Sequence, residues 1–465
     1  MAKKVNDEQR QAILRMLSEG HDRDTIAAQV GVTPGQVSAI GAHVTMGTYN
    51  RSDAAESKAI QGDGNEQDTD NLLAFLRQME NAPISLSRDF KPVLLGEDAE
   101  SKDDVYWSPD PASGAANPHV LILGESGFGK TYTLCCLLAE LTRQGVPSIV
   151  FDYAQGFSFQ SAPKAFLEMV QIVEINAAQE GVKINPLQPF PFDLHGPLSV
   201  AQRVADTFKR VYPSIGIQQH ALLRQAVIDV MADHGIVVDH PDSWELRLPA
   251  FGDLQRKLEQ YASDPTNPNK RLAATVASHI STMFVFNTFR SEGHQLEWSH
   301  MLGGSAGVHV VQLKGLEASL EKAVTDFLLW NFIGFIDSLG PGSLRCFIVL
   351  DEAHKLSFDP GSPTEKLLRE GRKFGVGAML ASQQPEDFSP VAFANTATKV
   401  VFQIGDERNV VSRQLHRKIK NSHSFAAIHE IVTKLPRGWS YTITDNVGRV
   451  TRIASLEDRG KRWHT

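Results

Sequence analysis

His119-Val-Leu-Ile-Leu123, Gly124-Glu-Ser-Gly-Phe-Gly-Lys-Thr131 and the run Tyr132–Leu138 form an apolar strand, a glycine-rich loop and a helical segment in direct succession. The loop fits G-x-x-x-x-G-K-[ST] through Gly124, Gly129, Lys130 and Thr131, in the strand-to-helix setting that motif needs. Glycines let main-chain amides turn inward around phosphates, and the helix N-terminus adds positive potential. Residues Gly124, Glu125, Ser126, Gly127, Phe128, Gly129, Lys130, Thr131 and Tyr132 are therefore the expected nucleotide contacts. Lys130 is expected to reach the β- and γ-phosphates and Thr131 to ligate Mg²⁺, with ATP as the nucleotide.

The second half of such a site is expected where a buried strand ends in acids. Arg345-Cys-Phe-Ile-Val-Leu-Asp-Glu-Ala-His354 is that pattern. Asp351 is expected in the Mg²⁺ shell and Glu352 beside the attacking water. Lys130 and Asp351 stand 221 residues apart (351 − 130), far more than a minimal core needs. The mainly helical stretch at about 195–290 accounts for the excess, with helices expected at Val200–Val211, Gln218–Asp233, Phe251–Tyr261 and Leu272–Val285.

Around these motifs strands and helices alternate, which predicts an α/β fold with a mainly parallel sheet. Strands are expected at Val120–Leu123, Ser148–Asp152, Val308–Leu313, Cys346–Asp351, Ala378–Ser382 and Lys399–Gln403. Five segments follow from the pattern. Residues 1–50 read as a small all-α helix-turn-helix domain, with a capping box at Thr33-Pro-Gly-Gln36. Residues 51–84 are an acidic linker and a short helix, and 85–118 a short β-rich lead-in to the loop strand. Residues 119–455 are the ATPase core and 456–465 a tail.

Composition narrows the partners. Of 465 residues, 42% are hydrophobic and 22% charged, and the formal net charge is −8, so any contact with nucleic acid has to be local. Cys135, Cys136 and Cys346 all lie in apolar runs and read as buried thiols rather than a disulfide or zinc framework. The N-terminus lacks an apolar signal core, and the most apolar stretch, Phe327–Ile336, is too short to span a bilayer. A cytoplasmic protein with no membrane partner is expected. The helix-turn-helix is short of cations: Thr33 to Val44 contains no lysine or arginine. Weak DNA contact and docking of a protein partner both fit it.

Asn117-Pro-His with the glycine-rich loop, Asn185-Pro-Leu, the Asp351-Glu-Ala-His box, Glu370-Gly-Arg-Lys-Phe-Gly, Ala381-Ser-Gln and Asn395 occur in that order. Over about residues 90–455 this resembles the HerA/FtsK superfamily of ring-forming DNA translocases, the HerA branch most closely. The resemblance implies a RecA-like core, a homohexamer with ATP sites between subunits, and movement on double-stranded DNA. It also implies that Gln383 senses the γ-phosphate and that Arg372 serves the neighbouring subunit's nucleotide. A cation there also makes sense chemically, since it stabilises charge on the transferring phosphoryl group; a plain surface charge is the other reading of Arg372. A separate effector enzyme, such as a nuclease or NADase, and a setting in anti-phage defence are further expectations. A nucleotide-regulated scaffold for the effector, and a soluble secretion or conjugation ATPase, stand as alternatives. The family's usual Asp-Pro-x-Gly-Glu-Tyr is replaced by Asp152-Tyr-Ala-Gln-Gly-Phe157, which leaves Asp152 between a site role and a strand-end cap.

Overall fold

The computed structural model describes residues 90–110, 116–290, 296–303, 307–420 and 423–463, together with 9, 12, 13, 16, 23–32 and 37. Two compact units divide the chain, Met1–Ala82 and Pro83–Thr465. In the first, helix Arg23–Val30 ends at Gly31, whose φ of 71° suits a residue without a Cβ. Ile13, Ile26, Ala27 and Val37 pack together there. Apart from Val37, the third helix of the expected helix-turn-helix lies outside the described residues, as do the acidic linker and the helix expected at 71–79.

The second unit is built on an 11-stranded sheet. Its strands are β1 (Val93–Asp98), β2 (Asp104–Trp107), β3 (Val120–Leu123), β4 (Ser148–Asp152), β5 (Ile172–Asn176), β6 (Val308–Gln312), β7 (Cys346–Leu350), β8 (Val376–Ser382), β9 (Thr398–Val401), β10 (Trp439–Thr444) and β11 (Val447–Ile453). They lie in the order β2-β1-β11-β10-β9-β3-β8-β7-β4-β6-β5. From β9 to β5 every pairing is parallel; from β9 to β2 every pairing is antiparallel.

Parallel strands covered on both faces read as continuous apolar runs. Here the period of two sorts each run between two cores. Leu121, Leu123, Ile149, Phe151, Ile348, Leu350 and Leu380 face one side; Val120, Ile122, Val150, Phe347, Val349 and Met379 face the other. Helix Lys130–Arg143 covers the second side. The first side carries helices Pro197–Val211, Ile217–Asp233, Gly252–Ser263 and Lys270–Val285, inserted between β5 and β6. Phe251 anchors this insertion: its ring meets Phe208, Phe284, Phe289 and Phe327 at centroid distances of 5.0–6.3 Å. Phe327 belongs to helix Ala318–Leu339, so the apolar run Phe327–Ile336 is the middle of a core helix. Among the described residues no helix is long and apolar enough to cross a membrane. All three cysteines are buried and free.

Three strands had no counterpart in the sequence reading: β5 and the hairpin β10–β11. Of the lead-in strands, β1 pairs with β11 and β2 with β1, at the far edge and away from β3. Beyond residue 455, helix Leu456–Trp463 buries Arg459 completely; its guanidinium donates to the Leu95 carbonyl at 3.3 Å and pairs with Glu140 at 3.1 Å.

Candidate active site

The glycine-rich loop leaves the C-terminal end of β3 and is tied to both neighbouring strands. The Gly124 N–H donates to the Ser382 carbonyl at 3.3 Å, and the Glu125 N–H to the Gln403 carbonyl at 2.8 Å. Phe402 forms the floor, since a Cβ on Gly124 would lie only 2.5 Å from the Phe402 Cβ. Gly127 and Gly129 take φ values of 83° and 118°, which a side chain would strain. Ser126 and Gly127 face solvent, while Lys130 is buried and donates its amine to the Glu125 carbonyl at 3.1 Å. Burial lowers the Lys130 pKa, against the pull of Glu352 and Asp351, which raise it. The Tyr132 hydroxyl accepts the Leu456 N–H at 3.0 Å, so this side chain is committed to the C-terminal helix.

β7 delivers the acids to the same edge. Asp351 is 3% exposed; its carboxylate accepts the Thr131 hydroxyl at 3.3 Å and the Glu352 N–H at 3.0 Å. Burial, and then the Glu352 charge, pushes its pKa up to about 6. Glu352 sits in the left-handed region at φ 61°, ψ 63°, a conformation that costs a non-glycine residue about 1–2 kcal/mol. That turn aims one carboxylate oxygen at the Gln383 amide, which donates to it at 3.2 Å. The other oxygen, Oε2, is buried without a hydrogen-bond partner among the described residues, although His354 Nδ1 approaches to 3.3 Å.

β8 lies between β3 and β7, so Gln383, one residue past its end, falls between the loop and the acids. Asp387 steadies that turn by accepting the Ser382 hydroxyl and the Gln384 N–H. Lys130, Thr131, Asp351, Glu352 and Gln383 thus meet where ligands bind in open parallel sheets, beyond the carboxyl ends of the strands.

The donor set fits the chemistry expected of it. An amine, a hydroxyl and a buried carboxylate converge beside inward-turning glycines, and burial with the Glu352 charge holds that carboxylate above its usual range. The orphaned Oε2 of Glu352 is an acceptor awaiting a donor.

Arg372 stands apart. It lies in the turn Gly371–Phe374 before β8 and donates to the Ala116 carbonyl, ahead of β3. Both positions are at the N-terminal ends of their strands. The seven residues of β8 separate it from Gln383's edge by roughly 23 Å. Asp152 acts as a turn anchor: its carboxylate accepts the N–H groups of Ala154, Gly156 and Phe157 at 2.9–3.1 Å and the Gln312 amide at 3.0 Å. The loop it shapes brings Gly156 against Thr131, where a Cβ would come within 2.8 Å of the Thr131 methyl. Asn117, Asn185 and Asn395 are likewise engaged with main chain: Asn117 accepts from His119 and Ala397, Asn185 bonds Pro249 and Leu187, and Asn395 donates to Val391. Phe402, Gln403, Gly156 and His354 complete the surroundings and were not singled out by sequence as site residues.

Residues 112–332 match the protein family described as helicase HerA, central domain. The chain is similar to the DNA double-strand break repair helicase HerA of Saccharolobus solfataricus, at 25% identity over 301 residues, covering 62% of this chain and 54% of that protein. It is similar to the DNA import protein CedB of Sulfolobus acidocaldarius at 21% identity over 306 residues, covering 64% and 45%. These matches support a HerA/FtsK-type P-loop ATPase. It spans about half the length of these curated relatives. Among solved structures, VirB4 of Thermoanaerobacter pseudethanolicus shares the fold with a TM-score of 0.62 at 19% identity, covering 79% of this chain and 98% of that one. The plasmid coupling protein TrwB in complex with a non-hydrolysable GTP analogue aligns with a TM-score of 0.51 at 14% identity, covering 80% and 96%. The match to the helicase HerA central domain ends at residue 332, short of Asp351 and Glu352, so the acid half of the site rests on the geometry above.

Proposed function

We propose that this chain hydrolyses ATP in a homohexameric ring of its own copies and uses the cycle to move along double-stranded DNA. The observation that carries the proposal is the convergence of Lys130, Thr131, Asp351, Glu352 and Gln383 on one edge, with Glu352 Oε2 buried and without a hydrogen-bond partner among the described residues. In this reading the loop amides and Lys130 hold the triphosphate of ATP. Thr131 and Asp351 hold Mg²⁺, which when bound neutralises charge on the phosphate oxygens. Glu352 orients the attacking water and draws its proton, and Gln383 fixes the Glu352 carboxylate while reading whether a γ-phosphate is present. Arg372 lies a strand's length from its own loop, which supports its serving the nucleotide of the next copy.

DNA as the track draws support from the relatives, a DNA repair helicase and a DNA import protein. The HerA resemblance further supports work with a separate effector enzyme, such as a nuclease or NADase, in anti-phage defence and in the cytoplasm. The test is hydrolysis with and without duplex DNA, alongside displacement of a strand or of a bound block. Hydrolysis should rise with duplex, and Lys130→Ala should abolish both hydrolysis and displacement. Hydrolysis indifferent to DNA, with an effector still activated, would replace the motor with a nucleotide-regulated scaffold.

A further inference from the structure

We infer that Arg413, Arg417 and Lys420 form a grip for the phosphate backbone of duplex DNA. Residues 408–420 contain Arg408, Arg413, Arg417, Lys418 and Lys420 and no acid, in a chain whose net charge is −8. The fold exposes all five side chains. Helix Val410–His416 buries Val411, Ser412 and Leu415, which turns Arg413 and His416 outward. Asp406 fixes the start of that helix by accepting the N–H groups of Val411 and Ser412 at 3.1 and 2.9 Å. Its far end is held by the Lys420 N–H, which donates to the Asn446 carbonyl at 2.8 Å.

Several cations deeper in this protein are paired: Arg203 with Asp193, Arg210 with Asp326, Lys355 with Glu321 and Arg459 with Glu140. None of the five exposed cations is in an ion pair among the described residues; Lys418 alone bonds a main-chain carbonyl, that of Ala394, at 3.5 Å. Arg413 and Arg417, the latter capping the helix, follow an i, i+4 spacing and so share one side of it, and Lys420 follows three residues further along the chain. The first two are offset by about 6 Å along the axis, within reach of successive phosphates on one strand, which advance about 3.4 Å per nucleotide.

The exposed part of the run carries no phenylalanine, tyrosine, tryptophan or large apolar side chain, and Ile419 is only half-exposed. Protein partners favour an apolar, aromatic centre, whereas backbone contact needs cations alone. The run begins just past Gln403, whose carbonyl holds the glycine-rich loop, so a strand gripped here pulls on β9 beside the nucleotide. The assignment rests on the DNA reading proposed above.

The test compares full-length protein with the triple variant Arg413→Gln, Arg417→Gln, Lys420→Gln. Binding to a short labelled duplex is followed by anisotropy across salt concentrations, and the mass of the assembly is measured in parallel. The slope of log affinity against log salt should shrink by about 2 to 3, near 0.9 for each phosphate no longer neutralised. DNA-independent hydrolysis and assembly mass should match the wild type, and Arg413→Lys with Arg417→Lys should retain the slope. An unchanged slope in the triple variant overturns the grip. A variant that no longer assembles overturns it too, marking the surface as a contact between copies. If the wild type fails to bind duplex at all, the DNA reading itself falls.

Discussion

The two ends of the parallel strands follow opposite plans. At the carboxyl ends, charges face one another: Lys130, Asp351 and the half-buried Glu352 are brought together, and Glu352 Oε2 has no hydrogen-bond partner among the described residues. At the amino ends the buried groups are tied largely to main chain, although His119 Nε2 and Ser148 Oγ have no hydrogen-bond partner among the described residues. Asn117 accepts two N–H groups at 3.0 Å each, and His119 accepts the Ala378 N–H at 3.0 Å. Burial, and then the Arg372 charge, lowers the His119 pKa to about 4, so the ring is neutral at ordinary pH. Lys399 donates its amine to the Thr396 carbonyl. One end gathers the side chains of the site; the other is tied largely to main chain and leaves Arg372 exposed. A sheet so arranged suits a site completed by a second copy, the amino end of one set against the carboxyl end of the next.

Arg372→Ala tests that pairing most severely. If the arginine serves a neighbour's phosphoryl group, hydrolysis in the assembled protein should fall by roughly 10³-fold or more, with nucleotide binding by the same protein almost unchanged. Equal loss of binding would place Arg372 in the folding of its own chain, through the Ala116 contact, and dissolve the contrast between the ends.

Glu352→Gln probes the carboxyl end with a smaller expected effect. The amide keeps the size and the approach to Gln383 but cannot take a proton, so hydrolysis should drop by about 10²–10⁴-fold, with ATP held in the site. Titration with a fluorescent ATP analogue beside a phosphate-release assay separates the two. Retained turnover would show that Gln383 or another group positions the water.

How much of this could be read from sequence follows from burial. β3, β4 and β7 were legible because both faces are covered, leaving uninterrupted apolar runs with a turn or acid at the end. β10 and β11 were missed although Asp445-Asn446, at φ 52° and 64°, is a hairpin turn between alternating residues. β5 is five residues at the sheet's edge with a glutamate in its middle, too short and mixed to stand out. At the site, Lys130, Thr131, Asp351 and Glu352 announce themselves by side-chain chemistry in a fixed order. Gln403 does not, since it contributes a carbonyl that any residue has, and Phe402 is a floor only because Gly124 rests on it.

Lys399 carries the amino end's plan to its limit and gives the smallest of these effects. The residue is 1% exposed, and its amine bonds the Thr396 carbonyl with no carboxylate paired to it among the described residues. Burial, helped by the Lys418 charge, lowers its pKa from 10.5 to about 7. Between those values the unfolded chain holds a proton that the folded chain has released, so this group adds to folding stability as pH rises from 7 toward 10.5. That contribution is lost as pH falls back through the window, and below 7 the amine must be charged inside the core. Lys399→Met removes the charge while keeping the length of the side chain. The variant should be more stable than the wild type at pH 7, by a few kcal/mol at most, and its advantage should fade toward pH 10. Denaturant melts at several pH values read this directly. A difference that stays constant with pH would mean that the amine keeps its proton in the folded protein, and that the amino end of the sheet is wetter than its hydrogen bonds imply.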